Sequence, residues 1–139
     1  MRINPQYINQ MCHMAEKLQM TQQVKLKTEK NRVPGARASG NTIYLRSGLL
    51  QNETLPPAAI TFVIAHELIH IHYRETGWNR AKQNLLSFCG NKKASALILL
   101  SELRANIEGR KLANLTPDEV ENSLTLMYAE GNNGNDDNE

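Results

Sequence analysis

The chain has 139 residues, 40% of them apolar and 22% charged, which fits a single soluble domain with an ordinary core. Its two cysteines, Cys12 and Cys89, exclude a disulfide scaffold and a Cys-x-x-Cys zinc site; the longest apolar run, 58–71, is too short to span a bilayer. The net charge of +2 hides an asymmetry: residues 1–50 sum to +6, residues 51–110 to +2 and residues 111–139 to −6.

Asn4-Pro5 pairs an N-cap residue with a proline at the first helical position, and Tyr7, Ile8, Met11, Met14, Ala15 and Leu18 follow at helical spacing. This predicts a helix from Pro5 to about Gln19. Residues 23–28 alternate polar and apolar, as do Thr42 to Arg46. Two short strands are expected there, paired as an antiparallel hairpin across a turn at 29–40 containing Pro34, Gly35 and Gly40. Pro56-Pro57 fits only the first turn of a helix, which is expected to run to about Glu75 and stop at Gly77. Between Ala58 and Ala65 that helix is apolar nearly all round, the mark of a central, buried element. A short helix from Asn79 to near Gly90 and a long one from about Lys92 to Leu112 follow. Thr116-Pro117-Asp118-Glu119 is a capping box that opens a last helix, fading by Gly131. The closing GNNGNDDNE has no apolar residue, so residues 131–139 are expected to form a disordered acidic tail behind one domain, residues 1–130. The fold class is α+β: a small N-terminal hairpin or sheet packed on a mainly helical body.

The chemistry lies in His66-Glu67-Leu68-Ile69-His70, H-E-x-x-H inside the central helix. At ~100° per residue, positions four apart differ by only about 40° around the axis, so both imidazoles leave one face one turn apart. A single Zn²⁺ can bridge that separation. Glu67 lies beside the first histidine and within ~60° of the second, where a carboxylate reaches a water at the metal without binding the metal. That is a general base next to a Lewis acid. The bland alternative, two core histidines and a glutamate on a buried helix, leaves an ionised carboxylate unpartnered at a cost of several kcal/mol.

A catalytic zinc needs a third protein ligand and an open position. The metzincin extension would need Gly at position 73 and His at position 76, where this sequence has Tyr73 and Thr76. The better donor is Glu102, whose helix-face neighbours are Ile98, Leu99, Ala105 and Asn106. Its competing role is a salt bridge with Arg104 or Lys93, and Glu108 is the reserve ligand. Asn106 could hold a ligating histidine by its second ring nitrogen. Glu75 falls nearly opposite His66 on a continuous helix and is set aside. His72 faces away, Tyr73 could steady an oxyanion but reads better as packing, and His13 beside Cys12 reads as a helix-face pair.

The order of NTIYLRSGLL, a proline-bearing linker, FVIAHELIH and ELRAN resembles the ImmA/IrrE-type metallopeptidases, compact gluzincin-like enzymes many of which are encoded on phages and mobile elements. The resemblance spans roughly residues 24–115 and is most specific at HELIH. It implies zinc held by His66, His70 and Glu102, with Glu67 as base, and a protein substrate, often a DNA-binding repressor. The segment NRAKQNLLSFCGNKK between His70 and Glu102 departs from the family pattern, and IEGRKLANL follows its continuation loosely. A cytoplasmic zinc-dependent endopeptidase of restricted specificity is therefore the expectation, with the edge of strand 42–46 holding an extended peptide. Two readings compete with it. One is a non-catalytic metal-containing module whose basic first fifty residues engage a protein or nucleic acid. The other is a SprT-like protease of DNA-bound proteins, against which the lack of a Cys-rich ribbon argues. Deformylases share H-E-x-x-H, but their Gly-rich and Cys-containing motifs are missing.

Overall fold

A computed structural model of the chain describes residues 3–75 and 77–136, with side chains at 77–79, 81 and 128–136 outside the description. Helix α1 covers Pro5–Lys17, with the Asn4 side chain accepting from the Gln6 amide at 3.0 Å and Pro5 in the first turn. Three strands follow, β1 Lys25–Glu29, β2 Ala36–Ser39 and β3 Thr42–Arg46, then a single turn of helix, α2 Ser47–Leu50. The helical body is α3 Pro57–His72, α4 Gly77–Phe88, α5 Lys92–Leu112 and α6 Pro117–Asp136. The class is α+β, as expected from the order of patterns.

The sheet departs from expectation in topology. Its strand order is β1-β3-β2, with β1 parallel to β3 and β2 antiparallel to it. The segment expected to be only a turn contains β2, which takes over the hairpin with β3 across Gly40-Asn41; β1 and β3 are therefore separated by two reversals and run the same way. Gly40 has φ 58°, at the first central position of a two-residue hairpin turn, where a glycine relieves the strain. Ala36-Arg37-Ala38-Ser39 hides this strand because alanine and serine carry little β signal and short strands draw their stability from pairing. β3 is consequently the central strand, with Ile43 and Leu45 fully buried, and β2 is an edge.

Helix α3 is the centre of the molecule. Nine of its residues are buried, and Ile64, Ala65 and Leu68 join Met11, Met14, Ile43, Leu45, Leu49 and Met127 in one core cluster. Contacts from α1, the sheet, α5 and α6 enclose it, which is why its sequence is apolar around the whole circumference. Helix α5 crosses α3 on a small-residue stripe, Ser101, Ala105 and Gly109, all buried. A Cβ on Gly109 would stand 3.1 Å from both Cα and N of His66, so the two backbones come this close only because position 109 has no side chain.

The capping box is present in both directions, with the Thr116 amide on Glu119 Oε1 at 3.0 Å and the Glu119 amide on Thr116 Oγ1 at 3.2 Å. α6 does not fade at Gly131 but continues to Asp136, since extending a formed helix needs no new nucleus; residues 137–139 lie outside the described residues. Among the described residues no helix is long and apolar enough to cross a membrane.

Candidate metal centre

The two histidines leave α3 together, as their spacing requires. His66 Nε2 and His70 Nε2 are 3.2 Å apart, with ring centroids separated by 4.8 Å. Glu102 arrives from α5, next to the buried Ser101 on the stripe that faces α3. Its Oε2 is 3.2 Å from His66 Nε2 and its Oε1 is 3.2 Å from His70 Nε2. The three candidate ligand atoms lie within 4.8 Å of one another. Donors each about 2.05 Å from a tetrahedral zinc are about 3.3 Å apart, so this spacing fits the ion. Two imidazole nitrogens and one carboxylate also form a donor set suited to zinc with one position left for water or substrate.

Around these donors sits a layer of partners that the sequence did not reveal. α3 ends at His72 rather than Glu75: the amides of Arg74 and Glu75 bond back to Ile71 and His70 carbonyls at 3.0 and 2.8 Å, and Arg74 takes φ 57°. This left-handed closure folds the chain under the helix end. Glu75, set aside on the assumption of a continuous helix, thereby returns to His70, its Oε1 3.4 Å from Nδ1. A proton on Nδ1 directed at Glu75 leaves the Nε2 lone pair free for a cation, the usual arrangement behind a ligating histidine. Arg104 holds the other oxygen of Glu75 at 2.5 Å. The role given to Asn106 thus belongs, for His70, to Glu75.

The salt-bridge partner of Glu102 is neither Arg104 nor Lys93 but Arg80 of α4, which also donates to Ser101 Oγ at 2.7 Å. Glu108, the reserve ligand, is engaged elsewhere: it accepts from the Tyr73 hydroxyl at 2.8 Å, and the Arg104 guanidinium lies 3.7 Å from the Tyr73 ring centre. Tyr73 is therefore tied to α5 and stands outside the cluster. His72 packs edge-on against Tyr73, and His13 and Cys12 are exposed on α1.

The electrostatics separate the carboxylates. Hydrogen bonds from His66 and His70 hold Glu102 far below the usual carboxylate range, so it is ionised throughout the neutral region. Burial pushes Glu67 upward against the opposing pull of His66 and His70. For His70, burial lowers the pKa, but the Glu102 hydrogen bond and the Glu67 charge outweigh it and the net direction is up.

Two hollows meet at this cluster. One of about 400 Å³ runs past His66, Glu67, Glu102 and Asn106 to Val33, Ala36, Phe62 and Met127. The other, of about 320 Å³, is walled by Ala36, Arg37 and Ala38 opposite His70, Glu75 and Arg80. β2 thus borders both, while the strand expected to hold a peptide, β3, is paired on each side and offers no free edge.

The fold and site define an α+β domain whose central helix and a crossing helix together present a His-His-Glu donor set beside a half-buried glutamate. Over 80 residues, 58% of this chain and 71% of the relative, the sequence is 30% identical to the uncharacterized protein MJ1213 of Methanocaldococcus jannaschii. The chain belongs to the family of that archaeal protein. No family model and no solved structure matches it.

Proposed function

We propose that this protein is a zinc-dependent endopeptidase of restricted specificity, with His66, His70 and Glu102 as metal ligands and Glu67 as general base. The observation that carries the reading is the convergence of three donors at zinc spacing with a half-buried carboxylate, in a cleft bordered by a free strand edge. Zinc held there supplies Lewis acidity, polarising a carbonyl and lowering the pKa of water toward ~7. Glu67, its proton affinity raised by burial, accepts the proton of the attacking water and delivers it to the departing amide nitrogen. Glu102, an anion across the neutral region, is held by the Arg80 guanidinium and offers its carboxylate to the ion. Glu75 and Arg104 hold His70 in the ligating tautomer. The outer edge of β2 receives the substrate backbone as an added strand, which favours an extended protein segment over a compact small molecule.

The resemblance to ImmA/IrrE-type enzymes supports a regulatory protein, such as a DNA-binding repressor, as substrate. The test is zinc analysis of purified protein combined with mass spectrometry of a mixed peptide library incubated with it. The expected result is one zinc per chain and a narrow set of cleavages, abolished by Glu67→Gln with zinc retained. Cleavage that persists in Glu67→Gln refutes the assigned base, and undiminished zinc in His66→Ala removes the site.

A further inference from the structure

Helix α5 has a second face that the metal centre does not use. Its buried stripe points at α3, and by the ~100° rule Ala96, Leu99, Leu100, Leu103 and Ile107 lie on the opposite half. Leu99 and Leu100 are 62% and 61% exposed, Leu103 and Ile107 48% and 52%. Single exposed leucines are ordinary, but a contiguous aliphatic row along a helix marks an interaction surface. Ala96, Leu100, Leu103 and Ile107 recur at spacings of four, three and four, the seam of a two-helix contact.

Charge says what covers it. Residues 77–112 carry seven Lys or Arg and two acids; Arg80 and Arg104 are paired with Glu102 and Glu75, which leaves Lys82, Lys92, Lys93, Arg110 and Lys111. Both acids are engaged on the other side of the helix, Glu102 with the histidines and Arg80, Glu108 with Tyr73. Lys92 and Lys93 at one end of the row and Arg110 and Lys111 at the other lie on the same half as the aliphatic residues. A second copy fits poorly. Antiparallel self-pairing with Leu100 against Leu103 sets Lys93 of one copy against Arg110 of the other at both ends, and parallel pairing sets each cation beside its twin. A bilayer surface shares the charge logic, but a narrow seam of heptad spacing is the shape of a helix contact.

We propose that the outer face of α5 docks an amphipathic helix of another protein, with an aliphatic seam flanked by acidic residues. The proposal is independent of the hydrolytic reading. It is tested on the full chain with a labelled three-heptad peptide carrying Leu on its seam and Glu on its flanks, beside the same peptide flanked by Lys. Fluorescence anisotropy is expected to show saturable binding at least tenfold tighter for the Glu-flanked peptide, weakened by salt. Leu100→Ser/Leu103→Ser, which alters exposed side chains only, should weaken it at least tenfold with an unchanged circular dichroism spectrum. Lys92→Glu/Lys93→Glu should erase the preference. Equal binding of both peptides, or binding of neither, overturns the proposal. So does a sedimenting dimer abolished by Leu100→Ser/Leu103→Ser, or tighter association with phosphatidylserine vesicles than with the Glu-flanked peptide.

Discussion

Glu75 sits beneath His70, its Oε1 3.4 Å from Nδ1, because the chain turns left-handed at Arg74 immediately after α3. This contact settles which ring nitrogen of His70 faces the candidate ligand set. Removing it should lower metal affinity without removing a ligand. Glu75→Ala is expected to bind zinc 10–100-fold more weakly, the range for partners behind a ligating histidine, while Glu75→Gln retains part of the affinity. Competition with a chelator of known affinity measures this, and an unchanged constant in Glu75→Ala would show that the contact does not matter.

Arg80 and Glu102 make a parallel prediction from the other side of the site. The guanidinium fixes the carboxylate and anchors α4 through Ser101. Arg80→Ala should also weaken zinc binding by about tenfold or more, with Arg80→Lys recovering little because an ammonium cannot span Glu102 and Ser101 in one planar fork. The spectrum of the cobalt-substituted protein would report the altered ligand geometry directly.

Glu67 should show a trade between stability and chemistry. Its pKa is raised on folding, so its ionised form is disfavoured in the folded state and the penalty grows as pH climbs above about 4.3. Metal-free Glu67→Gln is therefore expected to melt higher than the wild type at pH 7, with the gap closing as the pH falls toward that value. Hydrolysis in the same variant should drop by roughly 10²–10⁴-fold, the contribution of a positioned base.

The His70–Glu102 pair gives metal-free protein a stability window. The raised His70 pKa contributes stability fully below about 6.5, lost as pH rises through its folded value; the depressed Glu102 pKa contributes above about 4.3, lost as pH falls through its own. The pair is thus most stabilising between those limits. Zinc, which needs deprotonated imidazole, should shift the optimum upward. Melting curves from pH 4 to 9 with chelator and with zinc test this, and a zinc-induced gain that shrinks from pH 6 to 8 would contradict it.

The close crossing at Gly109 should tolerate no branched side chain. Gly109→Val forces α5 away from the His66 backbone and is expected to cost about 1–3 kcal/mol, with zinc affinity falling alongside because Glu102 rides on the same helix. Denaturant unfolding and metal titration should move together.

Much of this arrangement was legible in the residues themselves. Helical periodicity placed α1, α3 and α5 within a few residues, and the four-residue spacing of His66 and His70 fixed their shared face. Glu102 was legible because a carboxylate on a mostly apolar helix face asks for a cation. What escaped was set by tertiary geometry. β2 is built from alanine and serine and declares itself only by pairing with β3. The end of α3 carries no glycine or proline at the reversal, so nothing local foretold that Arg74 would adopt φ 57° and return Glu75 to the site. Arg80 depends on how α4 lies over α5, which periodicity within either helix leaves open.

The candidate donors come from two helices, and α4 lies in the chain between them. A bound ion would rivet α3 to α5, and because the three donors converge only in the folded chain, its binding free energy would add to the stability of that crossing. Occupancy and the rigidity of the α4–α5 arm are then one equilibrium, so amide exchange along α4, a helix that supplies no ligand and meets the donors through Arg80, should slow when zinc is added.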